Sequence, residues 1–508
     1  MSTIAKLWNN SVEKFADYPA VRWLVKKDVM EMSYKELGEN IEAVKNGLCA
    51  KGYSGAHISL IGPSSVYWVQ SYLAIVTGDN VAVPLDVNLP AENLVELINR
   101  ADVQAVFLDP KQSALLDEIK KSCPGVKDVW FLDDEYENGQ NLSDLKNAGA
   151  GANPGSSSGE DIATIIFTSG TTGVSKGVML TQSNLYTNVE SVQFEKEPGC
   201  VMMSVLPIHH AFCLVMDWLK GFSLGATVCI NDSFMHMVRN MSIFKPEVML
   251  MVPLMIETIY KKLAATDASV PPEMIAQSVF GGNLKIIFTG GAHLEPFYID
   301  EFAKYGVDVL EGYGMSECSP VITSNTPDNH KPGSIGRPLP NVEIKFEDGQ
   351  ILVKGSSVMK GYYKMPEETE ETLADGWLHT GDKGYMDEDG YVFINGRVKN
   401  LIILSNGENI SPEEMENKLA LFEMTAEVVV IGENNGLTAI IYPEVELAKA
   451  KGMDDDAVRE SIQKSIDEFN LTQPTYRRIT GLSIRKNPFV RNTTGKIIRA
   501  NATDEMDA

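Results

Sequence analysis

Hydroxyls, glycines and one lysine crowd together in TIIFTSGTTGVSKGVMLTQSNL, residues 164–185, directly after an apolar run. Backbone amides without bulky side chains, hydroxyl donors and a flexible cation are the components that surround a polyphosphate. A nucleotide is therefore the first ligand to consider. A Walker loop would read G-x-x-x-x-G-K-[ST] and open straight onto a helix, setting the helix amino terminus against the phosphates. Here Lys176 stands between Ser175 and Gly177, and GVML reads as further strand before capping residues at 181–183 start a helix. The pattern predicts a strand-loop-strand cradle; a plain Gly/Thr/Ser surface hairpin is the alternative.

Something must hold that cradle. Short β-branched runs such as HISLIG, VQAVFLD, ATIIFT, ATVCIN, EVMLMVP and LKIIFTGG alternate with amphipathic stretches such as SYKELGENIEAVKNGL. Alternation of this kind predicts parallel sheets flanked by helices. Residues 147–159, NAGAGANPGSSSG, read either as a linker or as a loop beside the cradle. From about Gly396 the character changes. SPEEMENKLALF carries Ser411 as N-cap, Pro412 at N1 and Glu414 at N3, which predicts a capping box. The strands AEVVVIG and LTAIIYPE follow, then a helix with Val458, Ile462, Ile466 and Phe469 on one face. The expected fold is α/β: a large N-terminal domain, 1–396, of helix-flanked β-sheets, and a small mobile α+β C-terminal domain, 397–508.

The totals narrow the class. A chain of 508 residues exceeds what one hydrophobic core supports. Its formal charge of -25 argues against general affinity for nucleic acid or anionic membrane, which reward clustered Lys and Arg. Cys49, Cys123, Cys200, Cys213, Cys229 and Cys318 are scattered without a C-x-x-C, so neither a disulfide framework nor structural zinc is expected, and reduced thiols in a cytoplasm fit. No integral membrane segment is expected, because the densest apolar run, 248–256, is too short and contains Pro253. One region runs against the acidic balance of 69 to 44: residues 471–500 hold Arg477, Arg478, Arg485, Lys486, Arg491, Lys496 and Arg499 and no acid. That island reads as a solvated basic face or as the part that meets a polyanion.

Further stretches, in order, are LPIHH at 206–210, FTGGAHLEP at 288–296, EGYGMSECSPV at 311–321, KPGSIGRPLP at 331–340, WLHTGD at 377–382, NGRVKN at 395–400 and RNTTGKIIR at 491–499. With these the chain resembles, over nearly its full length, the adenylate-forming enzymes that group acyl-CoA synthetases, peptide-synthetase adenylation domains and beetle luciferases. Within them it is most similar to bacterial medium- or long-chain fatty acyl-CoA synthetases. The resemblance implies that Thr168, Ser169, Gly170, Thr171, Thr172, Gly173 and Lys176 form the phosphate loop, with Ser175 in place of the usual proline. Gly290, Gly291 and Ala292 would line the adenine beside Glu311, Gly312, Tyr313, Gly314 and Met315, with Tyr313 stacking on the base and Ser316 meeting the α-phosphate. Glu317, with Thr168, would hold Mg2+, and Asp382 and Arg397 would meet the ribose. Lys399 takes the hinge position, although Asn400 replaces a frequent aspartate there, Gly407 would line the pantetheine tunnel, and Lys496 is the catalytic lysine of the small domain. His210 aligns with the histidine near the carboxylate pocket; a satisfied core histidine is its other reading.

The implied substrates are ATP with Mg2+, a carboxylic acid and CoA, and the implied chemistry runs through acyl-AMP to a thioester. An acyl carrier protein is the alternative acceptor. A regulator without turnover is disfavoured by the joint presence of Glu317, Asp382, Arg397 and Lys496, and a luciferase-like oxygenase is a further rival. The Phe-Asp start by which amino-acid-activating relatives hold an ammonium is absent, while AFCLVMDWLKGF, 211–222, is apolar enough to line an alkyl tunnel or to be ordinary core. A medium or long fatty acid is the expected substrate, with aryl or bile-type acids open.

Overall fold

The computed structural model describes residues 2–149, 152, 154–168, 175–264, 266, 269–403, 409–433, 436–491 and 497–504. The chain divides into two compact units, residues 1–344 with 353–378, and residues 345–352 with 379–508.

The first unit is built on two large sheets. One runs Gly361–Tyr362, Lys176–Thr181, Ile162–Thr168, Val81–Leu85, His57–Ile61, Ala105–Leu108, Asp128–Phe131. The other runs Arg337–Pro338, Val321–Ser324, Asp308–Gly314, Ile286–Thr289, Val248–Met251, Val201–Ser204, Thr227–Ile230, Pro19–Val25, Asp28–Ser33. Their central strands pair in parallel, as the apolar runs separated by amphipathic helices require. Antiparallel pairing enters only at the margins, where a short loop suffices to reverse the chain. All of Val81–Leu85 and of Ala105–Leu108 is buried, which is why these strands read as continuous apolar runs without alternation.

Helix Gln182–Ser191 closes the cradle hairpin. Thr181 caps it with a full capping box to Asn184. Its polar residues then turn inward: the Asn184 amide donates to the carbonyls of Ser356 and Val358 at 2.8 and 2.9 Å. Asn188, fully buried, donates to Cys318 O and Val321 O and accepts from Val321 N–H. Buried amides satisfied on three sides are rigid struts.

Two stretches that the sequence left open can be placed. Residues 147–159 join no domains, since both flanks belong to the first unit. The apolar stretch 211–222 forms a π-helical segment, Cys213–Lys220, every residue of which is buried. The cavity beside it, lined by Trp68, Tyr72, Leu214, Trp218 and Phe222, holds about 10 Å³, room for one water and not for an alkyl chain. Asp217 of this segment is fully buried, accepting from Ser204 Oγ at 2.9 Å, and burial pushes its carboxyl up to about 7.

The second unit contains strands Thr425–Glu433, Gly436–Pro443 and Ile479–Ile484 in one sheet. Helix Asp455–Leu471 packs on it through Val458, Ile462, Ile466 and Phe469, the four residues of its apolar stripe. Residues 382–386 and 392–397 pair antiparallel, which sets Asp382 at the end of WLHTGD opposite Arg397 of NGRVKN. The capping box expected at Ser411 does not form, although Ser411 is the N-cap and Pro412 holds N1. Its hydroxyl donates instead to Glu413 Oε2 at 2.9 Å, while Asn400 donates to the other oxygen of the same carboxylate at 2.6 Å. An aspartate at 400 would have faced Glu413 as a like charge.

The basic island is partly paired within the fold. Arg477 pairs with Glu414, Arg499 with Glu416, and Arg491 with Glu427 through Nε at 3.1 Å and Nη2 at 2.7 Å. Arg485 is buried, donating to Ala502 O at 2.8 Å and stacking on Phe489. Acids from earlier in the chain thus pair with three of its seven bases. Among the described residues, no helix is long and apolar enough to cross a membrane.

Candidate active site

The hairpin is real. Ile162–Thr168 and Lys176–Thr181 pair antiparallel with Thr168 opposite Lys176, so the loop between them leaves and returns at one point. Ser169, Gly170, Thr171, Thr172 and Gly173 of that loop lie outside the described residues, as do Gly407 and Lys496. The loop's return is braced by Arg100, whose guanidinium donates to Ser175 O at 2.7 Å. At its root the Thr168 hydroxyl donates across the hairpin to Lys176 O at 3.5 Å.

Beyond Lys176 the hairpin is edged by Gly361–Tyr362, with Tyr362 opposite Val178. The Lys176 ammonium lies 4.7 Å from the centroid of the Tyr362 ring. Tyr362 OH donates to Glu317 Oε1 at 2.8 Å. The lysine and the carboxylate of two separate motifs thus meet at one tyrosine.

Glu317 is buried in the single turn Ser316–Cys318 that follows strand Asp308–Gly314. Asn188 grips this turn from one side, and Ser319 Oγ donates to Ser357 O at 2.9 Å from another. Met359 N–H donates to Glu317 O at 2.8 Å. Met315 N–H reaches Pro320 O at 2.9 Å and closes the turn.

The strand ends beside this turn carry two polar atoms with nothing to bond. Thr289 and Glu311 are register partners on parallel strands, and both are buried. Thr289 Oγ1 and Glu311 Oε2 have no hydrogen-bond partner among the described residues, a costly state that a ligand with matching donors and acceptors would relieve. The Glu311 carboxyl also accepts from the backbone N–H groups of Leu294 and Gly333, and Asn325 pins the Glu311 carbonyl at 2.9 Å. Gly290 lies where a Cβ would come within 3.0 Å of Gly312 O, and Gly291 takes φ +84, so glycine leaves this ledge bare. Ala292 is exposed beside it, and Tyr313 pairs with Thr323 across the sheet edge. These residues fit a flat, polar heterocycle. For a metal, Glu317 offers one hard oxygen donor, and no cluster of three or more ligating side chains exists among the described residues. One carboxylate is the usual protein share of a magnesium ion whose other ligands are phosphate and water.

Burial pushes Glu311 up to about 7. The folded form therefore binds its proton more tightly than the unfolded chain, and this group's contribution to stability is full below its ordinary value of 4.5 and is lost as pH rises through about 7. Glu311→Gln is expected to gain stability relative to the parent between pH 5 and pH 8, by up to about 3 kcal/mol. Thermal melts of both proteins across that range check it; parallel curves would contradict it.

His210 is partly buried and its ring lies 4.2 Å from that of His209. Burial lowers both, His209 to about 3, where the neighbouring His210 adds to the effect. His209 Nε2 sits 3.7 Å from Asp86 Oδ2. Neither Asp86 nor His209 stood out in the sequence.

In the second unit Asp382 and Arg397 are register partners, and Arg397 Nε donates to Asp382 Oδ1 at 2.7 Å. Asp382 is buried, and Thr380 Oγ1 accepts its backbone N–H. Lys399 is exposed in the short turn Val398–Asn400 that follows.

The architecture is that of the adenylate-forming enzymes. The crystal structure of the anthranilate CoA ligase AuaEII with anthranoyl-AMP superposes with a TM-score of 0.84 at 20% identity, covering 98% of this chain and 96% of that one. ATP-bound MatB from Rhodopseudomonas palustris gives 0.81 at 27% identity over 98% of each chain. The chain belongs to the AMP-binding enzyme family, which matches residues 8–363, with the AMP-binding enzyme C-terminal domain over residues 399–508. Among characterised relatives it is 31% identical over 488 residues to long-chain-fatty-acid–CoA ligase 5 of Rattus norvegicus, covering 82% of this chain and 71% of the relative.

Proposed function

We propose that the protein activates a medium- or long-chain fatty acid with ATP, forming acyl-AMP and pyrophosphate, and transfers the acyl group to the thiol of CoA with release of AMP. The observation that carries this reading is the convergence of Lys176 and Glu317 on Tyr362: a cation suited to phosphate and a carboxylate suited to a metal, at the root of a hydroxyl-rich hairpin. Kinship with long-chain-fatty-acid ligases supports the choice of acid.

The first step brings two anions together. Like charges about 4 Å apart repel by several kcal/mol at an intermediate dielectric, so cations must converge where the carboxylate attacks the α-phosphorus in line. Mg2+, when bound, supplies part of that charge. Lys176, the hydroxyls and amides of residues 168–173, and Lys496 supply the rest, and Lys176 follows the departing pyrophosphate. Ser316 meets the α-phosphate, Tyr313 stacks on the base, and Thr289 and Glu311 read its edge from the strand ends. Asp382 and Arg397 take the ribose. His210, held neutral, faces the acid without adding charge. In the second step the thiol attacks the acyl carbon and AMP leaves; a turn of the small domain at Lys399 exchanges Lys496 for the surface around Gly407.

Pyrophosphate exchange against carboxylic acids of graded chain length, followed by thioester detection with CoA, tests this. Exchange rising with chain length beyond about eight carbons and a CoA thioester are expected. Exchange only with short or aryl acids would refute the choice of acid, and thioester only on a phosphopantetheinylated carrier protein would refute the acceptor.

A further inference from the structure

Tyr362 lies in KGYYKMP, a stretch with no chemistry of its own, yet its side chain touches both Lys176 and Glu317. Its backbone is fixed. Gly361 and Tyr362 lie opposite Met179 and Val178, held by Lys360 N–H to Met179 O at 3.0 Å and Tyr363 N–H to Gly177 O at 2.7 Å, and Tyr362 N–H donates to Thr369 Oγ1 at 2.9 Å. Gly361 adopts φ +139 with any Cβ 2.7 Å from Thr369 Cγ2, so the strand cannot slide to accommodate another residue there. The ring is buried, with its outer edge on an open cavity of about 530 Å³ bounded by Met179, Met365 and Leu373. The phenol also bonds Thr372.

We propose that Tyr362 is a positioning residue for adenylation: its hydroxyl sets the orientation of the Glu317 carboxylate while its ring seats the Lys176 ammonium. One rigid side chain thereby fixes the separation of an acid and a base that approach the phosphates from different strands. The proposal rests on the reading of Glu317 as the metal-holding carboxylate. Hydrogen-bond partners of metal ligands typically govern affinity by roughly 10- to 100-fold. A side chain serving only as core packing would leave metal affinity alone.

The test uses the full chain with Mn2+ and α,β-methylene-ATP, which cannot release pyrophosphate, and reads bound Mn2+ by electron paramagnetic resonance. Glu317→Gln, Tyr362→Phe and Tyr362→Leu are compared with the parent after thermal melts establish that each is folded. Tyr362→Phe keeps the ring and loses the O–H donor, so its Mn2+ dissociation constant should rise about tenfold with little change in nucleotide affinity at saturating metal. Tyr362→Leu should add a loss of nucleotide affinity, because Lys176 loses its seat. Parental Mn2+ binding in Tyr362→Phe, alongside loss in Glu317→Gln, overturns the role of Tyr362 and leaves the Glu317 reading intact. Parental binding in Glu317→Gln overturns both.

Discussion

Lys496→Ala is expected to slow acyl-adenylate formation by about a thousandfold, the scale on which a single transition-state cation acts in phosphoryl transfer, while thioester formation from supplied acyl-adenylate falls far less. The asymmetry follows from charge. In the first step a carboxylate must approach a triphosphate, and each cation removed restores part of the repulsion at the moment the bond forms. In the second step a thiol meets an adenylate whose reacting carbonyl is uncharged, and the cation has no comparable task. Pyrophosphate exchange reports the first step alone, and thioester release from synthetic acyl-AMP reports the second. Equal losses in both would mean that residue 496 maintains the small domain and takes no specific part in adenylation. Lys496→Arg separates charge from shape: the guanidinium keeps the positive charge but spreads it over a planar fork, so partial recovery of exchange is expected.

The parts of this protein visible in its sequence are those whose signal is local. Parallel strands of Val, Ile and Leu, the capped helix after the hairpin and the apolar stripe Val458, Ile462, Ile466, Phe469 all follow from residues within a turn or two of each other. Motifs at 164–177 and 311–317 crowd glycines, hydroxyls and single charged side chains into short stretches beside apolar strands. What was hidden depends on partners far away in the chain. Tyr362 gains its meaning from Glu317, 45 positions earlier, and Asn188 from carbonyls 130 and 133 positions later. Buried amides such as Asn188 and Asn325 look like surface residues until the loops they pin are in place. The positive-φ glycine just before Tyr362 was the available clue, since Gly-Tyr after a strand and before Pro-Glu-Glu marks a fixed corner.

The run of seven bases at 471–500 is partly answered within the fold, where Glu414, Glu416 and Glu427, from an earlier helix and strand, pair with Arg477, Arg499 and Arg491. A count of charges along a segment cannot see acids folded against it. The Ser411 cap failed for a similar reason: Gly396 brings a neighbouring strand so close that a Cβ there would lie 2.3 Å from Ser411 Oγ. Crowded on that side, the hydroxyl turns to Glu413 and not to its own helix.

Gly314→Ala is expected to cost pyrophosphate exchange about a hundredfold, through displacement of the Glu317 turn by a fraction of its own width. A Cβ at 314 would stand 2.0 Å from Pro320 O, 2.8 Å from Pro320 C and 3.1 Å from Val321 Cα, all backbone atoms with no rotamer to escape into. Relief requires residues 315–321 to move as a body. That body is held by Met315 N–H to Pro320 O, by three bonds to Asn188 and by Ser319 to Ser357 O, so the shift either breaks those bonds or carries Ser316 and Glu317 away from Tyr362. Both outcomes degrade the first step. Gly159→Ala, where a Cβ would find only ordinary contacts at 3.5 Å, should exchange at the parental rate and serves as the comparison. Were Gly314→Ala to exchange normally while remaining folded, the turn would be compliant, and the placement of Glu317 could not be what the reaction depends on.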